Sequence, residues 1–538
     1  MAAILHRGGG RPANSFGPDA APQAGAVAVN CATPSQPPTP LPIATVSATP
    51  SPRHRAAVIC GLALMGAGCT LGPDFRRPPP PPVARFTAEP VKLAGQRLLA
   101  GRDVPADWWR VFRSPRLQSL IQRALWHSPD LQAAQATLTA SRETLAAQES
   151  ALLPALDASG SVKRQKVSGA LFGNPSAPGS LFTVYNGSLN VSYTIDVFGG
   201  IRRQLEAGAA EADYQRFQLE AAQLTLVANL VAGAIQEAGL RAQIDAGTDV
   251  LADLEQQLAI LRRQRDLGGT AEAAVLAQDA EVNRNRADLA PLRRQLEQTR
   301  HRLSVLAGEP PGQTVLEEFH LEDLGLPTEL PLGVPAKLVL QRPDIRAREA
   351  MAHAASARIG VATTRLFPDF TLTASVGTVA TRAGDLFMPG SGIWNTGLNL
   401  LQPVFHGGQA IHGRRAAVAD FETADAQYRS TVLQALQNVA DVLRALEADT
   451  AELAARRAAE EAAAGALALA RSQYSAGATS YLALLDSQRS VGQSRLERVQ
   501  AQAAQLTDTA ALFHALGGGW WNRRGDGELA PSAENSSR

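Results

Sequence analysis

Residues 188–200 read Ser-Leu-Asn-Val-Ser-Tyr-Thr-Ile-Asp-Val-Phe-Gly-Gly. In an extended chain Leu189, Val191, Tyr193, Ile195 and Val197 point one way, and Ser188, Asn190, Ser192, Thr194 and Asp196 the other;. Two glycines end the alternation, and from about 201 to 266 the chain has no proline and little glycine. At 1.5 Å per residue that run makes a helix of roughly 100 Å. A strand with one apolar and one small polar face is what a barrel with lipid outside and water inside requires. A half-buried soluble sheet alternates in the same way. The helix breaks the tie, because a globular domain rarely needs one of this length.

Working outward, the same pattern occurs twice. Ser128-Pro129-Asp130-Leu131 recurs as Arg342-Pro343-Asp344-Ile345, and Leu153-Pro154-Ala155-Leu156 as Phe367-Pro368-Asp369-Phe370. Val197-Phe198-Gly199-Gly200 recurs as Val404-Phe405-His406-Gly407-Gly408, and Leu267-Gly268-Gly269-Thr270 as Ala476-Gly477-Ala478-Thr479. Order is kept and the offset drifts only from 214 to about 208, which points to duplication;. Each copy reads helix, strand, strand, helix, helix. Pro129 and Asp130 suit a first helical turn, where the missing N–H is unneeded and the dipole favours an acid. In the second copy Phe370, Leu372, Ala374 and Val376 oppose Thr371, Thr373 and Ser375. Trp394, Thr396, Leu398 and Leu400 oppose Asn395, Gly397 and Asn399. The short helices, 129–153 and 343–367, span roughly 38 Å and the returning ones, 270–307 and 480–516, roughly 57 Å. Together they nearly match one long helix (201–266 or 409–474), so short helices are expected to stack beside unbroken long ones.

The bulk composition agrees. The 538 residues carry a net charge of +1, which gives no global field toward nucleic acid, and only 5% are aromatic. Ala, Leu, Gln, Arg and Glu dominate, as in long helices. Cys31, Cys60 and Cys69 all lie near the N-terminus, so nothing downstream can form an intrachain disulfide or a cysteine metal site;. No run of about 18 apolar residues follows residue 72, so any membrane crossing is expected to use strands. Four strands per chain leave open edges in lipid, at several kcal/mol for each unpaired N–H or C=O. Such strands must close with copies from other chains. No GxSxG, HExxH, Walker or dinucleotide glycine motif is present, and His406 and His412 lack a third ligand, so neither enzyme chemistry nor a metal site is expected;.

Residues 1–52 are rich in Pro, Ala, Ser and Gly and read as disordered or as a misassigned start;. Residues 53–68 read as a signal peptide: Arg53, His54 and Arg55, an apolar stretch, then Gly68 before Cys69;. Leu64-Met65-Gly66-Ala67-Gly68-Cys69 resembles a bacterial lipobox, with Gly66 where Leu is usual, and Thr70 does not supply the usual inner-membrane retention Asp. The resemblance implies a covalent lipid on Cys69, and an ordinary signal peptide is the other reading. The Pro-rich stretch Arg77–Pro82 follows as a stiff spacer;.

Cys69-Thr70-Leu71-Gly72-Pro73-Asp74-Phe75, Trp108-Trp109, the two Pro-Asp helix starts, Asp196-Val197-Phe198-Gly199-Gly200 and Ala515-Leu516-Gly517-Gly518-Gly519-Trp520 together resemble the NodT branch of the TolC-like outer-membrane efflux factors. The resemblance runs in order over about 69–520. It implies a mainly α fold with transmembrane β: as a homotrimer, a 12-stranded outer-membrane β-barrel continued by a long periplasmic α-helical barrel. The expected parts are an anchor, linker and equatorial segment (69–115), repeat one (116–310), an equatorial linker (311–335), repeat two (336–520) and a disordered tail (521–538). Expected partners are a periplasmic adaptor, an inner-membrane pump, commonly of the resistance-nodulation-division type, and outer-membrane lipid, with no nucleic acid and no cofactor beyond the lipid.

The same resemblance implies the sites. Gly268, Gly269 and Thr270, with Gly477, Ala478 and Thr479, become periplasmic tips that meet the adaptor, and they are also plain helix C-caps. Leu482 and Asp486 fall on pore-gate positions and, being four apart, share a helix face. Three copies would stack a ring of Leu beneath a ring of carboxylates that attracts cations. An Asp on a solvated helical face is the plainer reading. Ser475 stands where some relatives have Arg, Ala483 replaces a second acid, and Ala277 occupies the position of Asp486 in repeat one. Lys163, Arg164 and Lys166 suit either anionic lipid or a solvated loop. The expected function is the exit duct of a tripartite efflux system for small molecules. A protein-secretion duct, a periplasmic coiled-coil protein and, last, a soluble enzyme are the alternatives.

Overall fold

The computed structural model describes residues 70–168, 170, 173, 178–312 and 317–523. The expectations for residues 1–52, the signal peptide and Cys69 lie outside these residues, as do residues 524–538 of the expected tail. Trp521, Asn522 and Arg523 are placed: the Asn522 amide donates to the Val104 carbonyl at 2.7 Å, and Arg523 to Gln223 Oε1 at 2.8 Å.

The strand β1 (Arg97–Ala100) precedes a 3-10 turn at Trp108–Phe112, then α1 (Pro115–His127) and α2 (Pro129–Glu149). Ser114 and Ser128 cap these two helices, each hydroxyl accepting from a backbone N–H at 3.4 Å, with Pro at the first position;. The hairpin β2 (Ala155–Val167) and β3 (Ser180–Ile195) leads into α3 (Gly200–Asp266) and the returning α4 (Glu272–Leu306). After β4 (Glu329–Leu332) and α5 (Pro335–Gln341) the order repeats: α6 (Pro343–Thr364), β5 (Asp369–Ala380), β6 (Gly392–Leu401), α7 (Gln409–Ser475) and α8 (Tyr481–Ala515). The helix α4 continues through Pro291, whose missing N–H lies on an exposed face;.

Each hairpin hands over to its long helix at a glycine in the left-handed region, Gly199 at φ 76° and Gly408 at φ 83°. That conformation costs a side-chain-bearing residue about 1 kcal/mol or more, so the glycines seen in the sequence are conformational requirements. Asp196 then accepts from the N–H groups of Ile201 and Arg202 at 3.1 and 3.0 Å, satisfying orphan donors at the start of α3;.

The four long strands form one antiparallel sheet in the order β2-β3-β5-β6. Leu156, Val376, Trp394 and Leu398 on its apolar face are 59–77% exposed. Covering one such side chain is worth about 1.5–3 kcal/mol, and among the described residues no element covers them. A soluble half-buried sheet is thereby set aside, since its apolar face would pack on something. Among the described residues β2 and β6 each lack a neighbour on one side.

The main core lies around the middle of α3, which α2, α4, α6 and α8 flank. The Trp108 and Phe513 rings stack at 5.4 Å, with Phe112, Ile121, Leu230, Ile235 and Leu303 fully buried nearby. The parallel pair β1–β4 and the short α1 and α5 complete this belt. None of these four was apparent in the sequence. The same packing corrects one expectation: α3 does contain an 18-residue stretch apolar enough by composition to cross a membrane. Its apolar residues are spread around the helix because several neighbours cover it, whereas a lone amphipathic helix would show one stripe.

Asp449 of α7 is half-buried beside Asp508 of α8, and burial, that carboxylate and Glu452 push it up to about 7. The folded chain therefore keeps this proton from the ordinary carboxylate range up to about pH 7, where the unfolded chain has already released it. The resulting stability is complete at low pH and fades as pH climbs through 7. Asp508→Asn removes the opposing charge. It is expected to raise the apparent Tm of detergent-purified protein by about 2 °C at pH 8.5 and to change it little at pH 5. Melting temperatures that run parallel in the two proteins across this range would show that the pair carries no such coupling.

Candidate functional site

At the far end of each long helix the chain reverses through the same hydrogen-bond pattern. The Gly268 and Gly269 N–H groups donate to the Arg265 and Gln264 carbonyls at 2.9 and 2.7 Å; those of Gly477 and Ala478 donate to Tyr474 and Gln473 at 3.0 and 2.8 Å. This pairing closes orphan carbonyls through a left-handed residue, here Gly268 at φ 73° and Gly477 at φ 72°. Both tips stand clear of the rest of the chain: Gly268, Gly269, Gly477 and Ala478 are exposed, and Thr270 and Thr479 half-buried. Leu267 at the first tip is 87% exposed, an apolar side chain offered to solvent at the end of a helical hairpin.

The helix α8 starts just past the second tip, with the Ser480 hydroxyl accepting from the Ala483 N–H at 3.3 Å. Its first turns have two unlike faces. Tyr481, Leu484, Leu485 and Gln488 are buried, while Leu482 and Asp486 are exposed together on the other side, Leu482 at 68%. The shared face expected from their spacing is therefore open to solvent among the described residues.

The buried face contains polar groups to which sequence reasoning gave no role. The Tyr481 hydroxyl donates to Gln278 of α4, whose amide in turn donates to the Leu254 carbonyl of α3 at 2.8 Å. Burial, with Tyr474 beside it, pushes the Tyr481 hydroxyl well up from its usual range, so it stays a donor. Two turns on, Arg489 donates to Glu281 Oε2 through Nε at 2.8 Å and Nη2 at 2.5 Å. Glu281 is 4% exposed and also accepts from Arg284 at 2.7 Å. These contacts tie α8 to α4 across the end of the bundle. A periodicity break could have revealed them, since Gln278 and Glu281 interrupt the face that carries Val275 and Val282. Clefts of about 240 and 250 Å³ flank the same stretch on either side of Gln488 and Gly492.

Repeat one has no counterpart to this cluster. The residues 209 positions earlier than Tyr481, Asp486 and Arg489 are Glu272, Ala277 and Ala280. The two halves share a hairpin tip and differ just beyond it.

At the opposite end of the long helices, the residues that follow Cys69 are bound firmly. The Leu71 N–H donates to the Phe198 carbonyl at 3.1 Å. Arg203 donates to the Leu71 carbonyl at 3.1 Å and to Asp74 at 2.7 Å, Phe75 stacks on His353 at 4.6 Å, and Arg77 pairs with Glu349 at 2.6 Å. The chain after Cys69 thus starts where strand passes to helix. Lys163 shares the polar face of β2, whereas Arg164 and Lys166 lie on its apolar face, as their register with β3 requires;. Among the described residues no group of three or more His, Cys, Asp or Glu is placed to hold a metal ion.

The chain matches the family profile described as outer membrane efflux protein over residues 120–309 and 334–518. It is 31% identical over 485 residues to the toluene efflux pump outer membrane protein TtgF of Pseudomonas putida, covering 87% of this chain and 97% of that one. It is 31% identical over 433 residues to the pyoverdine export outer membrane protein OpmQ of Pseudomonas aeruginosa, covering 79% and 91%. The solved outer-membrane channel OprN superposes with a TM-score of 0.76 at 28% identity, covering 84% of this chain and all of that one. The fold is that of TolC-like outer-membrane channels, with the long helices extending into the periplasm of a Gram-negative cell. On these grounds the chain belongs to the outer membrane efflux protein family and is the outer-membrane channel of an efflux pump, a transporter component rather than an enzyme.

Proposed function

We propose that three copies close into a 12-stranded barrel over a long α-helical barrel, and that this cylinder is the exit duct of a tripartite system exporting small molecules. The observation that carries this reading is the four-stranded sheet, whose outward apolar face is bare and whose two edges lack a neighbour among the described residues. Closure with sister copies satisfies the edges, and lipid covers the face. The relatives named for toluene efflux and pyoverdine export support a small cargo of varied chemistry. A protein-secretion duct has no such support.

Within the duct the exposed tips, Gly268-Gly269-Thr270 and Gly477-Ala478-Thr479, receive the periplasmic adaptor. It links them to an inner-membrane pump of the resistance-nodulation-division type. Leu482 and Asp486 face the lumen and narrow it, as a ring of Leu followed by a ring of carboxylates. The Tyr481–Gln278 and Arg489–Glu281 contacts hold α8 inward against α4, and the adjoining clefts leave room for it to tilt outward. A covalent lipid on Cys69 sits in the inner leaflet, consistent with the anchoring of Leu71 beside Phe198.

The duct is tested by reconstitution in planar bilayers. Arg489→Ala removes charge-assisted hydrogen bonds worth about 2 kcal/mol in all, and it is expected to raise leak conductance several-fold, while Arg284→Ala, which leaves Glu281 paired with Arg489, is expected to leave leak at or below the wild-type level. Asp486→Ala is expected to raise conductance and abolish cation preference. Wild-type conductance and selectivity in both Arg489→Ala and Asp486→Ala would remove the gate assignment.

The anchor is tested by metabolic labelling. Cys69→Ser is expected to incorporate no labelled fatty acid yet still give heat-modifiable oligomers in membranes. Label retained on that variant would place the lipid elsewhere.

A further inference from the structure

The pairing registers place the even-numbered residues of β2, β5 and β6 on one face of the sheet with the odd-numbered residues of β3;. Among the strand residues on this apolar face Arg164 and Lys166 are charged, and the rest are neutral. The polar face carries both signs, with Asp157 and Lys163 on β2 alone. Repeat one supplies the cationic pair by itself. Leu156 corresponds to Phe370, 214 positions on, so the counterparts of Arg164 and Lys166 are Thr378 and Ala380. The turn of the second hairpin holds Arg382 and Asp385, one of each sign.

Aromatic residues on the same face give the depth of the pair in a membrane. Tyr193 lies near the helix end of β3, and Tyr185 lies eight residues toward the turn, opposite Val162. Eight residues make about 26 Å of strand and about 20 Å of height at the usual tilt, close to the apolar band of about 25 Å that aromatic girdles flank. The long helices occupy the periplasmic end, so Tyr185 marks the outer girdle. Arg164 lies opposite Thr183, two residues beyond Tyr185, and Lys166 opposite Leu181, two further on. Both therefore project at headgroup depth, where a charge on the lipid face is tolerated.

The Lys166 side chain leans toward the turn. It runs along the backbone at Gly179, where a Cβ atom would come within 3.1 Å of its Cε, and this carries the ammonium away from the hydrocarbon;. Residues two apart on a strand have Cα atoms about 7 Å from each other, so both heads can reach one phosphate. The guanidinium suits it with a fork of hydrogen bonds and the ammonium with a point charge. A hairpin end that was merely solvated would accept either sign. Two cations and no acid on the lipid-facing side are what an anionic headgroup selects.

We infer that Arg164 and Lys166 form a lipid-phosphate site on the outside of the barrel, which holds a phosphorylated lipid of the outer leaflet against the first hairpin. This rests on the membrane reading of the sheet proposed above and deepens it by assigning the headgroup chemistry. It also takes Lys163 out of the basic cluster, because Lys163 belongs to the opposite face.

Native mass spectrometry of the detergent-purified oligomer counts bound lipid and tests the site. The probes are diphosphoryl lipid A, the same lipid stripped of its phosphates, and inorganic pyrophosphate. The wild-type protein is expected to hold diphosphoryl lipid A at least ten-fold more tightly than the dephosphorylated form. Arg164→Gln combined with Lys166→Gln is expected to lose that preference, and Lys163→Gln, one residue away on the other face, to keep it. An unchanged preference in the double variant overturns the site, as does an equal loss in Lys163→Gln, which would indicate general charge attraction. Pyrophosphate that displaces the lipid at comparable concentration also overturns it, since the pair would then serve a free anion. Should the double variant fail to assemble, equal retention of the two lipids by the wild type still decides against the site. A wild-type chain released from membranes without detergent removes the membrane reading, whereas a membrane-embedded oligomer indifferent to lipid phosphate removes this site alone.

Discussion

A backbone N–H or C=O group inside hydrocarbon has no water to turn to, and leaving it unpaired costs several kcal/mol. In this chain the constraint acts on the outer sides of β2 and β6, which have no neighbouring strand among the described residues. The apolar face between those edges adds a second demand, since Trp394 and Leu398 are more than 60% exposed. On the proposed reading, lipid satisfies the face and sister strands satisfy the edges. No other surroundings meet both demands at once. The rest of the architecture follows from this requirement. Strands that close a ring fix how the helices below them are spaced, and helices of roughly 100 Å carry the wall of that ring far from the membrane.

The repeat makes such a wall economical to encode. One helix–hairpin–helix unit, used twice in a chain, gives a subunit whose left and right flanks are images of its own interior. The difference in burial between α3 and α7 is the physical trace of this, because sequences of one design are buried in one place and bare in another. The exposed Ile411, Leu433 and Leu469 of α7 would be an aggregation hazard in a monomer;. In a ring they are a core that has not yet been assembled.

Much of this was legible in the residues. Alternation at 188–198, the prolines at 129 and 343 and the glycines before each long helix marked strands, starts and turns, because each rests on local geometry that few residue types tolerate. What stayed hidden depends on contacts between distant segments. The strands β1 and β4 are four residues each and pair across more than 200 positions, too short for any period to show. The helix α5 is seven residues. The polar face of α8 was half-read. Leu482 and Asp486 were marked by the family resemblance and set on one face by their spacing, whereas Tyr481 and Arg489 acquire meaning only when Gln278 and Glu281 of α4 are seen opposite them. Expecting no helix apolar enough to span a membrane failed for a related reason. The apolar content of α3 reflects four packed neighbours, and a count of residues cannot distinguish those neighbours from lipid.

The place where the repeats stop matching tells most about the duct's working. Tips, caps and strand registers are duplicated nearly residue for residue, and then Tyr481, Asp486 and Arg489 face Glu272, Ala277 and Ala280 at the equivalent sites. A six-fold wall with identical ends would have to narrow by moving every hairpin together. On the proposed trimeric reading, a clamp in repeat two alone would let three hairpins bend inward while the other three stay as a fixed frame, with α4 of that frame supplying the acceptors, Gln278 and Glu281, to which Tyr481 and Arg489 are bonded. Because Glu281 keeps its pair with Arg284 at 2.7 Å when Arg489 leaves, the departing helix does not strand a buried charge, which would cost about 3–5 kcal/mol;. The second arginine therefore lowers the cost of opening. A clamp built on an otherwise unpaired Glu would hold the duct closed more tightly and release it far less readily.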